Sequence, residues 1–283
     1  MRIHHLNCGS DCPVGGAVFD GRSKGLLGHI VCHCLLIETD AHGLVLVDTG
    51  YGLNDVDHPH RPKRIPRAWR AMLNIRLREE DTARRQLEAR GFRAEDVRHI
   101  VLTHLDFDHA GGLEDFPNAT VHVMQREWDM ATGPRRGFVQ QARYRRPQWD
   151  EVTAWRRYGA TGEPWFGFDA VRGLEGLPPE ILLVPLPGHT FGHAGVAIDR
   201  GGAEGWLLHA GDAYFYRGEM REAKRRCTPG LRAYQTLMEQ SRRDRMLNQE
   251  RLRRLSVERR GTVQLVCAHD VVELERAQAG RPL

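Results

Sequence analysis

The sequence predicts an α/β fold whose short buried strands carry the chemistry at their ends. Three observations lead there. Apolar, β-branched runs of about four to six residues recur along the chain, too short for helices and too unbroken for exposed strands. Stretches with helical spacing separate several of them. Five of the runs end in Asp or His beside a small residue: at Asp48, at His104 to His109, at His189, at Asp212 and at His269.

Residues 1–50 read as strands joined by turns. The runs 32–37 and Leu44–Val47 flank a His42-Gly43 turn and form a β-hairpin, which delivers Asp48-Thr49-Gly50 at its end. Taken alone, Asp48 is equally well explained as a turn cap. Positions 52–80 hold Pro59, Pro62 and Pro66 among His and Arg, then helical spacing over 68–77: an exposed insertion followed by a helix. A stronger helix covers 81–90, capped by Asp81, with Ala83 and Leu87 on one face and Gly91 as its stop. A strand at 100–102 leads into the densest motif of the chain.

That motif is Thr103-His104-Leu105-Asp106-Phe107-Asp108-His109-Ala110-Gly111-Gly112, with four possible metal ligands (His104, Asp106, Asp108, His109) inside six residues. Two imidazoles and two carboxylates at one strand end stay unpaired unless something positive sits among them. Neutral imidazole and carboxylate oxygen are both good ligands for zinc and its neighbours. The plain alternative is a solvated turn rich in His and Asp. Gly111 and Gly112 let the backbone turn tightly and are expected to start a helix.

A strand at Thr120–Met124 and a short helix over 125–131 come next. From 133 to 176 the pattern is irregular and rich in Arg and aromatics, with Tyr144, Trp149, Trp155, Tyr158 and Trp165 forming either a separate mini-core or the wall of a substrate pocket. The later strands, at 181–186, 194–198, 206–209 and 263–267, lead to Pro187-Gly188-His189-Thr190, Gly211-Asp212 and Ala268-His269. A long helix is expected over 231–255, with Leu231, Tyr234, Leu237 and Met238 on one side and arginines on the other. No linker or repeat divides the chain, so residues 1–283 read as a single domain.

A content of 41% hydrophobic and 28% charged residues is that of a soluble globular protein. No run approaches the ~18 apolar residues of a membrane span, and the N-terminus lacks a secretory h-region, so the cytoplasm is the expected location. The net charge of +4 is arginine scattered along the chain, a solvated surface rather than a nucleic-acid footprint. A small-molecule substrate is the expected partner, without nucleic acid or membrane, for a monomer or homodimer. The six cysteines (Cys8, Cys12, Cys32, Cys34, Cys227, Cys267) are spaced too widely for a zinc ribbon and are expected to be buried thiols, although Cys8 and Cys12 flank a turn and could approach each other.

The ordered set Leu46-Val47-Asp48-Thr49-Gly50, Thr103 to Gly112, Pro187-Gly188-His189-Thr190, Gly211-Asp212 and Ala268-His269 resembles the metallo-β-lactamase superfamily over nearly the whole chain. Within it the cluster looks most like the branch of the N-acyl homoserine lactonases and methyl parathion hydrolases. The resemblance implies a four-layer αββα sandwich with the metal site at one edge between the two sheets. It implies two divalent metal ions. His104, Asp106 and His189 would bind the first, Asp108, His109 and His269 the second, with Asp212 bridging both and Asp48 supporting the cluster. The motif departs from the family's H-x-H-x-D-H at position 106, where Asp stands for His. The carboxylate adds a negative charge, expected to lower the Lewis acidity of the first cation. Zinc is the first expectation, with Asp106 shifting preference toward iron or manganese. A second departure is Phe215, where the lactonases carry Tyr; here Tyr214 and Tyr216 flank it.

Such a site supports hydrolysis, with a dinuclear metal-bound hydroxide attacking an ester or lactone carbonyl. Asp108 is the candidate to pass the proton to the leaving group, and Tyr214 or Tyr216 to hydrogen-bond the oxyanion, unless their rings simply pack. A lactonase-like hydrolase is therefore the leading expectation. Thioester or phosphotriester hydrolysis would use the same site. A di-iron redox protein of this fold is favoured by Asp106 and opposed by the lack of an electron-transfer domain. A nucleic-acid-processing member would need an aromatic-basic platform that the chain does not display. His193 is expected to hydrogen-bond near the site at most.

Overall fold

The computed structural model describes residues 1–58, 64–134, 137–170, 173–221 and 224–281. Part of the predicted insertion, with Pro59 and Pro62, lies outside the described residues, as do 135–136 and 171–172 of the aromatic segment. In chain order the strands are β1 (Arg2–Asp11), β2 (Ile30–Glu38), β3 (Leu44–Val47), β4 (Ile75–Arg76), β5 (Val97–Val101), β6 (Thr120–Met124), β7 (Trp155–Tyr158), β8 (Glu163–Trp165), β9 (Phe168–Ala170), β10 (Ile181–Pro185), β11 (Ala194–Asp199), β12 (Trp206–His209) and β13 (Val263–Val266). The α-helices are α1 (Ala17–Asp20), α2 (Leu53–Asp57), α3 (Arg67–Leu73), α4 (Ala83–Glu88), α5 (Gln125–Thr132), α6 (Phe138–Arg143), α7 (Pro229–Met238), α8 (Arg242–Glu258) and α9 (Val271–Gln278).

One sheet runs β4-β1-β2-β3-β5-β6-β7 and the other β10-β11-β12-β13, with β8-β9 a separate hairpin. The expected β2–β3 hairpin is present, Leu35 lying opposite Val47. β3, β5, β6 and β7 are parallel. β10 and β12 run alike because both pair antiparallel with β11, and β13 is parallel to β12. Strands that share a direction release their C-terminal ends on one side, and ligands in open α/β sheets collect there. Asp48, His104, His189, Asp212 and His269 follow β3, β5, β10, β12 and β13.

β2 is buried at every position from Ile30 to Ile37 because it serves two layers. Successive side chains point to opposite faces. Leu35 and Ile37 meet Ile181, Leu183, Val196 and Ile198 between the sheets. Cys34 and Leu36 point the other way, toward Ala83 and Leu87 of α4. The second sheet turns Leu182, Val184 and Leu208 outward onto Leu252 and Leu255 of α8. The fold is the expected αββα sandwich.

Several local expectations are revised. The helix expected over 81–90 begins at Ala83, and Thr82 rather than Asp81 caps it, its hydroxyl accepting the Arg85 N–H at 3.3 Å. The helix expected over 68–77 stops at Leu73. There Asn74 turns left-handed at φ 50° and donates its amide to the Cys12 carbonyl, which hands Ile75 and Arg76 to the edge of β1. Gly111 and Gly112 lead only into a 3-10 turn, Leu113–Asp115. The single helix expected over 231–255 is two helices, α7 and α8. The Gln240 and Ser241 N–H groups both donate to the Gly188 carbonyl, and Ser241 caps α8. The segment 133–176 is more regular than expected, and its Tyr144, Trp149 and Trp165 pack as core, with Trp155 and Tyr158 half-buried against it. Trp128, Trp149 and Trp155 cluster, and Trp165 meets Trp206 and Phe168. All six cysteines are free thiols, Cys8 and Cys12 included. Among the described residues no helix is long and apolar enough to cross a membrane.

Candidate metal centre

Asp48 leaves β3 at φ 56°, a left-handed conformation uncommon for a residue with a side chain. From there its carboxylate reaches the loop after β5. Oδ1 accepts the Thr103 N–H at 2.8 Å, and Oδ2 accepts the Thr103 hydroxyl at 2.8 Å and lies 2.9 Å from His109 Nδ1. With its one proton given to Asp48, the Thr103 hydroxyl can only accept from His104 Nδ1, 2.9 Å away. His269 Nδ1 sits 2.8 Å from the Val31 carbonyl. In all three rings Nδ1 is therefore the donor and Nε2 is turned inward, its lone pair available to a cation once the ring is neutral.

The inward nitrogens converge on Asp212. Its Oδ1 lies 3.3 Å from His109 Nε2 and 3.0 Å from His269 Nε2. Its Oδ2 lies 3.3 Å from His189 Nε2 and 3.8 Å from His104 Nε2. Ligand atoms of His104, His189 and Asp212 all fall within 4.8 Å of one another, as do those of Asp108, His109 and His269. These are two adjoining triads, and Asp212 of the first also turns its Oδ1 toward His109 and His269 of the second. All these residues are buried, Asp108 being the most open at 8%. His104 Nε2, His109 Nε2 and Asp212 Oδ1 have no hydrogen-bond partner. Buried polar atoms without partners are rare and costly. Lone pairs gathered this way from imidazole and carboxylate fit divalent cations such as zinc, iron or manganese.

Asp106 reaches the same place but faces two ways. Oδ2 lies 3.0 Å from His189 Nε2 and 3.5 Å from His104 Nε2, whereas Oδ1 lies 3.3 Å from Nε of Arg143. The negative charge expected of Asp106 is thus accompanied by a buried guanidinium that the sequence did not point to. The role expected of Tyr214 is corrected. Its ring packs in the core behind the second sheet, and its hydroxyl donates to Glu273 at 3.0 Å, so it is not free for an oxyanion. Tyr216 packs with Ile30, Phe215 and Leu231, under the Arg217 guanidinium. Phe215 presents its ring to the cluster instead, stacked 4.8 Å from His269 and tilted 5.9 Å from His189.

Burial opposes charge at every one of these groups, and the neighbours override it selectively. Asp212 stays well below the usual carboxylate range despite burial, held there by His269, His109 and His189. His269 rises to about 9, Asp212 outweighing burial. Asp106 is also held low against burial, by Arg143 and then His104. Asp108 moves the other way, raised by burial, with Asp212 and Asp106 adding to it. His189 falls to about 4 through burial that Asp212 only partly offsets.

Several contributors carried no sequence signal. Glu127 of α5 accepts the Leu105 N–H at 3.0 Å and the Thr190 hydroxyl at 2.6 Å, tying the loop after β5 to the His189 loop. Gly192 has no room for a side chain, since a Cβ there would collide with the Glu127 backbone. His193 Nε2 accepts the Asp212 N–H at 2.9 Å, the hydrogen-bonding place expected for it. Gln148 and Arg64 brace the cluster loop from below through the Phe107 and Gly111 carbonyls. Tyr234 of α7 lies 5.8 Å from the Phe215 ring, its phenol pushed well up by burial and then by Asp108, Asp11, Asp106 and Asp212.

Comparison with known proteins identifies the family. The family model described as the metallo-beta-lactamase superfamily matches residues 27–259. A "probable metallo-hydrolase" of Mycobacterium tuberculosis is 40% identical over 276 residues, covering 95% of this chain and 80% of that protein. An N-acyl homoserine lactonase of Bacillus cereus is 26% identical over 194 residues, 66% of this chain and 68% of that protein. Among solved structures, an N-acyl homoserine lactone hydrolase with the product N-hexanoyl-L-homoserine at its catalytic metal center superposes with a TM-score of 0.63 at 18% identity, over 96% of this chain and 94% of that one. A probable metal-dependent hydrolase from Staphylococcus aureus gives 0.66 at 19% identity, over 95% and 88%. At such identities the structural likeness speaks for the fold. The sequence matches speak for more: the chain belongs to the metallo-beta-lactamase superfamily, as one of its metallo-hydrolases.

Proposed function

We propose that the protein hydrolyses small-molecule esters, lactones foremost, with two divalent metal ions held between its sheets. The observation that carries this reading is the orientation of Asp212, one oxygen toward His109 and His269 and the other toward His104 and His189. In this reading His104, Asp106 and His189 would hold the first ion and Asp108, His109 and His269 the second, with Asp212 within reach of both. Zinc suits this donor set best. Bound there, the cations supply an activated water and a polarised carbonyl.

The chain's own residues do the rest. Thr103 and Asp48 fix the tautomers of His104 and His109. Asp108, the most open carboxylate of the cluster and placed beside His109 and His269, is the group positioned to take the proton of the attacking water and return it to the leaving alkoxide. With Tyr214 engaged by Glu273, Tyr234, whose ring packs on Phe215 and whose phenol feels Asp108, Asp106 and Asp212, is the tyrosine left as candidate for the oxyanion, and the Phe215 ring keeps bulk water from His269 and His189. The likeness to the Bacillus cereus lactonase supports the substrate class, and six free thiols support a cytoplasmic setting.

The test is a panel of lactones, aryl esters, thioesters and phosphotriesters, assayed with metal content measured and with chelator present or absent. Lactone or ester turnover that chelation abolishes and zinc restores is expected. Turnover indifferent to chelation, or redox turnover without hydrolysis, would overturn the reading.

A further inference from the structure

Asp106, the residue that breaks the histidine pattern, has a cation of its own. Arg143 has no exposed surface, and its Nε lies 3.3 Å from Asp106 Oδ1. Its Nη1 donates to the His189 carbonyl at 3.0 Å and its Nη2 to the Met238 carbonyl at 2.7 Å. The next residue, Tyr144, pairs with Asp106 as an isolated antiparallel bridge, so the main chain holds the two side chains in register. Asp48, Asp108 and Asp212 pair instead with imidazoles. A carbonyl satisfies a guanidinium N–H without cancelling the charge, and a buried cation is costly until an anion does so. The anion here is a carboxylate whose other oxygen faces His104 and His189.

We infer that Arg143 is the counter-charge that lets an aspartate stand at position 106. The pair turns one oxygen toward the first metal position and carries no net charge, which makes it electrically equivalent to the neutral imidazole of the H-x-H pattern. Arg143 is thus a positioning residue for the first ion, acting through Asp106 and the His189 backbone. This inference rests on the metal-centre reading above.

The pair must behave as a unit. Removing Arg143 alone strands an anion, and replacing Asp106 alone by His strands a cation; changing both restores neutrality. The measurement is zinc titration of the apoprotein against a competing chelator, for the wild type, Arg143→Met, Asp106→His and the double variant. Two tight equivalents are expected for the wild type. In each single variant the first equivalent should weaken on the order of ten- to a hundred-fold while the second stays tight. The double variant should recover both.

The deciding comparison lies within the Asp106→His background, where Arg143→Met should tighten zinc binding. If Arg143 merely clamps two carbonyls, the same change loosens it and the inference falls. This comparison stands even if Arg143→Met alone does not fold. A wild type that binds no zinc defeats the metal-centre reading itself. A wild type that binds two equivalents, with single-variant effects that simply add, defeats only the inference.

Discussion

The Thr103 hydroxyl lies between Asp48 and His104 and decides which His104 nitrogen carries the proton. Thr103→Val removes it with little change of volume. Metal affinity should fall on the order of ten- to a hundred-fold, and stability should drop by about 1–3 kcal/mol from the unpaired groups left behind. Metal titration and urea unfolding check both, and unchanged affinity would mean that Thr103 does not orient the ring. At this scale the sequence showed the His and Asp residues well, because ligand chemistry and spacing within one loop are local properties. It hid Glu127 and Arg143, whose roles come from contacts with residues remote in the chain. Tyr214 was misplaced because nothing in a Tyr-Phe-Tyr run says which ring faces the cluster.

Strands were the most legible elements, since each is a buried run with a chemical residue at its end. Helix ends were less so. The break between α7 and α8 is set by the Gly188 carbonyl in another layer, which no spacing rule along 231–255 can reveal. Histidines inside the first sheet make a prediction of their own. His122 on β6 lies 3.0 Å from His99 on β5 and 2.8 Å from the Tyr158 hydroxyl on β7. Burial, then His99 and Arg156, lowers its pKa from 6.5 to about 3. A depressed imidazole favours the folded state fully above its unfolded pKa, and that stability is lost as pH falls toward the folded value. His122 should therefore cost the protein about 2 kcal/mol on going from about pH 7 to about pH 5. His5, lowered to about 4 mainly by burial, adds in the same direction. Urea unfolding at both pH values should show a flatter dependence in His122→Gln than in the wild type. Equal slopes would show that this imidazole does not set the acid sensitivity.

On the scale of the whole molecule, metal ions at the His/Asp cluster would brace one sheet against the other. His104, Asp106, Asp108 and His109 come from the loop after β5, whereas His189, Asp212 and His269 come from the second sheet. Ions bound only by the folded chain stabilise it by about 4 kcal/mol each at a thousand times their dissociation constant. Chelation should lower Tm on the order of 10 °C as well as abolish activity; scanning calorimetry with and without chelator checks this, and an unshifted Tm would mean that the sheets need no such brace. The order in which the loops occur has a consequence for synthesis. The loop from His104 to His109 leaves the ribosome long before β13 exists, so an early cation meets an incomplete cage. Since domains fold largely as units as they emerge, and metal affinity depends on the completed site, metal uptake comes last. A chain truncated before β13 lacks His269 and should therefore fail to retain the second ion.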